Sequence, residues 1–239
     1  VKDVDVIVNF AAESHVDRSI ANPLPFIQTN IVGTFSLLEA ARQHDKLLVH
    51  VSTDAVYGDA EEKESFDEHD LLTPSNPYSA TKASADQLVL SYYRTYGTKC
   101  VITRCSNNFG PYQYPEKLIP KFIKQLEENK PVTIQGDGSC VRAFLHVDDT
   151  AKAFERILLN GKIGEIYNIG CDDGMEYSVL DIAKLLIKRI KKTDDFNKWI
   201  THIEDRPFND KRYYISNNKL KDLDWSPEIS FDEGIIKCL

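Results

Sequence analysis

The sequence predicts an α/β fold: a doubly wound parallel sheet followed by a smaller, mixed α/β domain. Three observations lead there. Over residues 1–105, short apolar runs alternate with amphipathic stretches of helix length, which is the β-α-β-α-β pattern of a parallel sheet with right-handed crossovers. From Ser106 the texture changes to turn formers, and a less regular half begins. The chain has 239 residues, 42% apolar and 28% charged, enough to bury a sizeable core and too apolar for disorder.

Residues 4–10 (VDVIVNF) form a continuous apolar run, as expected of a strand buried on both faces. After Pro23, Ile27, Ile31, Phe35, Leu38 and Ala41 recur at helical spacing and predict a helix over 24–43. Residues 47–52 make the next strand, and an acidic loop over 59–75 is long enough to act as a lid. A helix over 78–96 follows, with Ala85, Leu88, Tyr92 and Tyr96 on one face, then a strand over 100–104. In the second half, a helix ends near Glu128, and residues 132–134, GDGS and 140–145 read as a hairpin. Asp148 is expected to cap a helix through Leu159, and residues 165–169 to form a strand. Ser178 with Asp181 resembles a capping box before an amphipathic helix. The tail is polar, with short helical pieces.

A net charge of −8 gives no footprint for nucleic acid or an anionic membrane. No apolar run approaches the ~20 residues that span a bilayer, and no signal peptide is visible. The five cysteines show no CxxC pair and read as reduced packing thiols in a cytoplasmic protein, with no metal site. The chain starts without Met, almost directly in a strand, and its first glycine is Gly33, so a fragment lacking N-terminal material is expected.

The chemistry concentrates in residues 51–82. Thr53 and Asp54 sit at a strand's end, and Tyr78 and Lys82 lie four apart on one helix face. A free phenol titrates near 10 and is a poor base at neutral pH. A nearby ammonium favours phenolate, so Lys82 is expected to lower the Tyr78 pKa and let it accept an alcohol proton. Chance produces such a Tyr–Lys spacing often, and a surface pair is the plain alternative.

This combination resembles the extended short-chain dehydrogenase/reductase family. NFAAESHVDRS, TNIVGT, STDAVYGD, NPYSATKASAD, CSNNFGPYQYPEKLIP, YNIG and DRPFNDKRY together resemble a nucleotide-sugar 4,6-dehydratase of the dTDP-glucose kind, from residue 5 to about 235. The resemblance implies a Rossmann-like NAD-binding domain over 1–105 without its glycine-rich βαβ, so that this span alone would bind NAD poorly. It also implies a substrate-binding domain over 106–239, with about 143–170 returning to the first. NAD would be a bound prosthetic group touched by Ala11, Ala12, Ser14, Thr29, Tyr78, Lys82 and Asn108. The nucleoside-diphosphate hexose, dTDP-glucose or UDP-glucose, would meet Ser14, Thr53, Asn107, Lys117, Leu118, Arg142, Asp205, Arg206, Pro207 and Asn209. Small residues at 11 and 12 can equally serve a tight helix–sheet turn, and Thr29 can simply pack. Each Arg can form a surface ion pair, and Asp205 can merely orient Arg206. Relatives dimerise through the helices after TNIVGT and around Tyr78, which implies a homodimer.

The family reaction oxidises the sugar at C4, eliminates water across C5 and C6, and returns the hydride to C6. Its elimination uses an Asp–Glu pair after the Thr. Here Asp54 is present, but Ala55 stands at the Glu position, and a methyl group cannot take a proton. Three readings stay open: a deliberate change that traps substrate, a natural loss that impairs elimination, or a different reaction such as 4-epimerisation. A catalytically silent nucleotide-sugar binding protein is the alternative of another class.

Overall fold

The computed structural model describes residues 1–60, 65–172, 174–207 and 209–239. Among the described residues, ten strands follow in chain order: β1 (Val6–Asn9), β2 (Leu47–Thr53), β3 (Cys100–Cys105), β4 (Asn107–Phe109), β5 (Val132–Gln135), β6 (Val141–His146), β7 (Ile166–Ile169), β8 (Glu176–Ser178), β9 (Ile200–Ile203) and β10 (Arg212–Tyr213). The main sheet has the order β1-β2-β3-β7, and each of its pairs is parallel.

Alternation along the strands supplies both faces of this sheet. Leu48, Cys100 and Ile102 pack with Leu38, Ala41, Val89 and Tyr92 from the helices Gly33–Gln43 and Pro77–Tyr96. Val49, Val101, Tyr167 and Ile169 pack on the opposite side with Ala153, Phe154 and Ile157 of the helix Val147–Asn160. Helices on both faces make this the expected Rossmann-like, doubly wound architecture. The stretch over 24–43 is helical throughout but contains a π-helical turn, Ile27–Val32, before Gly33–Gln43.

The second half forms a separate core. Phe109, Phe122, Phe144 and Phe231 pack with Ile182 and Leu186 of the helix Val179–Lys191. Ser178 and Asp181 close the expected capping box of that helix. The expected hairpin over residues 132–145 is not formed. β5 instead pairs parallel with β9, and β6 pairs parallel with β4 and β10 and antiparallel with β8. GDGS does turn the chain, with Gly136 and Gly138 at positive φ, but the two flanking strands join different sheets. Asp148 is not the cap of its helix. His146 is, its ring accepting from the Asp148 N–H. Of the acidic loop over 59–75, residues 61–64 lie outside the described residues. Past them, Phe66 stacks on Tyr57 at 5.2 Å and bridges to Ile215, so this part of the loop is held down.

Candidate active site

β2 carries Thr53 to the carboxyl edge of the main sheet, where a single 3-10 turn, Asp54–Val56, changes the chain's direction. The Thr53 hydroxyl accepts from the Ala55 N–H at 3.3 Å and donates to Asp54 Oδ1 at 3.1 Å. Opposite this edge, Asn76 caps the helix Pro77–Tyr96 in a reciprocal box with Ser79. Pro77, with its φ already set for a helix, starts the first turn. Tyr78 is thereby fixed in that turn, its N–H donating to Ser19 Oγ at 3.2 Å and its ring meeting Phe26 edge-on.

These groups line a cleft of about 410 Å³ between the two halves. Of the expected residues, Ser14, Thr53, Asp54, Ala55, Tyr78, Asn107, Asn108, Lys117, Leu118, Arg142, Arg206 and Asn209 line it. Ala11, Ala12, Thr29, Lys82, Asp205 and Pro207 do not. Ala11 and Ala12 are exposed just past β1, Thr29 is half-buried on the π-helical turn, and Asp205 and Pro207 are exposed. Asp205 does not hold the Arg206 guanidinium. It accepts from the backbone N–H of Arg206 and from the Asn209 amide. In DRPFNDKRY, Phe208 lies outside the described residues.

Three cations line the cleft. The Lys117 ammonium donates to the carbonyl and hydroxyl of Ser14. Arg206 pairs with Asp17 at 2.5 Å. Arg142 stacks over Tyr213 at 4.3 Å and donates to the carbonyls of Val141 and Asp210. Such guanidinium and ammonium groups suit phosphate oxygens.

The net shift runs against the expected lowering: burial raises the Tyr78 phenol well above its ordinary value, and the Thr53 hydroxyl works against that rise. Only 3% exposed, Lys82 donates to the Val51 carbonyl at 2.6 Å, and burial lowers its own pKa. Asp54, also 3% exposed, is pushed up to about 6 by desolvation, against the Thr53 hydrogen bond and the charge of Arg142. Its Oδ2 has no hydrogen-bond partner among the described residues. Ala55 is 6% exposed and lines the cleft beside it.

Sequence reasoning missed several polar residues of the cleft wall, Asp210 and Tyr213 among them. Asp210, buried, accepts from Ser75 Oγ at 2.5 Å and from the Tyr213 hydroxyl. Both Asp210 and Tyr213 belong to a motif already quoted, and the signal that could have found them was the β10 pairing that lays them beside Arg142. Asn30 was missed too. Its side chain bonds both backbone polar groups of Glu13 and the Thr81 hydroxyl, tying the segment after β1 to the Tyr78 helix.

Among the described residues, no group of three or more His, Cys, Asp or Glu could hold a metal ion, and no helix is long and apolar enough to cross a membrane.

Comparison with known proteins agrees with this geometry. The chain is 48% identical over 240 residues to the low-salt glycan biosynthesis protein Agl12 of Haloferax volcanii, covering all of this chain and 76% of that protein. It is 43% identical to a trifunctional UDP-glucose 4,6-dehydratase/epimerase/reductase of Arabidopsis thaliana, where it spans only 36% of the length. Among solved structures, a double mutant of the dTDP-glucose 4,6-dehydratase DesIV from Streptomyces venezuelae, with NAD bound, superposes with a TM-score of 0.93 at 40% identity, over 98% of this chain and 72% of that one. A UDP-glucuronic acid 4-epimerase from Bacillus cereus, also with NAD, gives 0.91 at 32% identity, over 99% and 74%. The family model described as GDP-mannose 4,6 dehydratase matches residues 1–238, and the chain belongs to that family of extended short-chain dehydrogenases/reductases.

Proposed function

We propose that this protein dehydrates a nucleoside-diphosphate glucose, with dTDP or UDP as the nucleotide, to the 4-keto-6-deoxy sugar, using NAD. The observation that carries the reading is the meeting of Thr53, Asp54 and Tyr78 in one cleft with Lys117, Arg142 and Arg206. Hydroxyl, carboxyl and phenol can work on a sugar while the cations receive a diphosphate.

The residues present fit NAD. Ala11 and Ala12 leave the carboxyl end of β1 open to close backbone approach. Ser14 and Thr29 offer hydroxyls, Asn108 an amide, and Tyr78 and Lys82 a phenol and an ammonium from one helix. When bound, NAD supplies the hydride acceptor and donor. The chain's own residues move the protons. Tyr78, in its phenolate form, takes the C4 hydroxyl proton, with Thr53 holding that oxygen. The resulting ketone acidifies C5. Asp54, holding a proton up to about pH 6, protonates the departing C6 hydroxyl. Ala55 cannot accept the C5 proton, which passes instead to water in the cleft, so elimination is the slow part of this cycle.

The likeness to a 4-epimerase, together with Ala55, favours one second reading: oxidation and reduction at C4 without loss of water. A silent sugar-nucleotide binding protein has no use for Tyr78, Thr53 and Asp54 together. Product mass separates the three. Loss of water marks the dehydratase, unchanged mass with a new diastereomer marks the epimerase, and bound sugar nucleotide without turnover marks the binder.

We also propose a homodimer through the helices Gly33–Gln43 and Pro77–Tyr96. Phe35 and Tyr96 are 45% and 58% exposed there, and Val32 precedes them on the same surface. Sedimentation at twice the mass of this chain supports it, and a monomer at micromolar concentration contradicts it.

A further inference from the structure

We infer that Tyr213 is a positioning residue for Arg142: its ring, held by the buried Asp210 carboxyl, is the platform that presents the Arg142 guanidinium to the diphosphate of the sugar nucleotide. The inference deepens the proposed function and rests on its reading of the cleft as a diphosphate site.

β10 runs parallel to β6 with Tyr213 opposite Arg142. The central carbon of the guanidinium lies 4.3 Å from the centre of the Tyr213 ring, within the range of cation–π attraction. The edges of the guanidinium are held as well. Nη1 donates to the Val141 carbonyl at 2.7 Å, and Nη2 donates to the Asp210 carbonyl at 2.9 Å. These partners are neutral, so they fix the group without cancelling its charge. Arg206 differs, because Asp17 already meets its charge at 2.5 Å. Arg142 is thus a guanidinium of the cleft that is held in place with its charge open to phosphate oxygens.

The platform is itself anchored. Tyr213 is 9% exposed and Asp210 3%. The Tyr213 hydroxyl and Ser75 Oγ both donate to Oδ2 of Asp210, Ser75 at 2.5 Å. Burial, with the Asp210 carboxyl beside it, raises the Tyr213 phenol, so the hydroxyl keeps its proton and stays the donor. Ser75 directly precedes Asn76, the cap of the helix that carries Tyr78. One carboxyl oxygen thus ties the platform under Arg142 to the start of the Tyr78 helix, across the cleft that both line. An arginine side chain is long and flexible, and ordering it in advance spares the ligand that cost.

The test is calorimetric titration with dTDP and UDP, with thymidine and uridine as controls that carry no phosphate. Tyr213→Leu removes the platform and is expected to weaken diphosphate binding by ~10-fold while nucleoside binding stays in place. Tyr213→Phe keeps the ring and is expected to stay within ~3-fold of the unchanged protein. Pentafluorophenylalanine at position 213 keeps the ring shape and inverts the charge of its face, so it is expected to bind diphosphate more weakly than Tyr213→Phe. This comparison keeps the inference falsifiable if Tyr213→Leu does not fold. A merely structural Tyr213 would weaken diphosphate and nucleoside together and would not distinguish the two rings, and that result overturns the inference. Arg142→Ala is the reference. Lost diphosphate affinity there, with none lost in the Tyr213 variants, overturns the inference alone. No loss in Arg142→Ala overturns the diphosphate reading of the cleft, and the inference with it.

Discussion

The hydroxyl of Thr53 donates to Oδ1 of Asp54 at 3.1 Å, while Oδ2 of the same carboxyl is buried with no hydrogen-bond partner among the described residues. One oxygen is anchored and the other is unbonded, which suits a group that must hand over a proton in a fixed place. Burial raises this carboxyl to about 6, so it retains its proton where most carboxyls have lost theirs.

For Asp54→Asn, C4 oxidation is expected to persist while dehydration falls by ~10²–10⁴-fold, the usual worth of a general acid. In the unchanged protein, dehydration is expected to fall as pH rises through about 6. A pH–rate profile that is flat there would remove Asp54 from the acid role.

The same shift has a stability consequence. The folded-state pKa of Asp54 lies above its model value of 3.8, so the folded chain binds the proton more tightly than the unfolded one. Stability therefore falls as pH rises from about 4 to about 6, by on the order of 3 kcal/mol, and stays reduced above that range. Asp54→Asn is expected to raise Tm at neutral pH, with the difference closing near pH 4. Calorimetry at the two pH values checks the sign.

For Ala55→Glu, a side chain that can accept the C5 proton enters beside Asp54. Formation of 4-keto-6-deoxy product is expected to rise by ~10²–10⁴-fold with little change in KM. Unchanged product formation in a variant that still binds the sugar nucleotide would show that the missing base is not what limits this chain.

Burial decides which ion pairs matter. Arg104 and Asp86 are 2% and 0% exposed, so Arg104→Ala leaves a carboxylate uncompensated and is expected to cost ~3–5 kcal/mol. Lys99 and Asp45 form a shorter pair in the open, 2.7 Å against 2.9 Å, at 42% and 80% exposure, and Lys99→Ala is expected to cost less than ~1 kcal/mol. Urea denaturation of the two variants gives the contrast directly.

The main sheet was legible in the sequence because its strands are continuous apolar runs, and Leu48 and Val49 had to face different helices. The grouping of Thr53, Asp54 and Tyr78 in one cleft was legible because Thr53 and Asp54 are adjacent and Tyr78 follows a helix cap. Partnerships set by distant chain were not. Nothing around Val132 specifies pairing with Ile200, so a turn sequence suggested a hairpin that the fold does not make. Asp210 and Tyr213 enter the cleft only because β10 joins β6. The net rise of the Tyr78 pKa was not legible, because spacing alone cannot show how deeply the phenol is buried or that the Lys82 ammonium bonds the Val51 carbonyl.

The central claim is that Asp54, Thr53 and Tyr78 dehydrate a sugar nucleotide. The most direct measurement is the mass of the product formed from dTDP-glucose or UDP-glucose in the presence of NAD. The account predicts a sugar nucleotide lighter by one water, formed slowly and lost in Tyr78→Phe. A product of unchanged mass, or binding with no product even after Ala55→Glu, would contradict it.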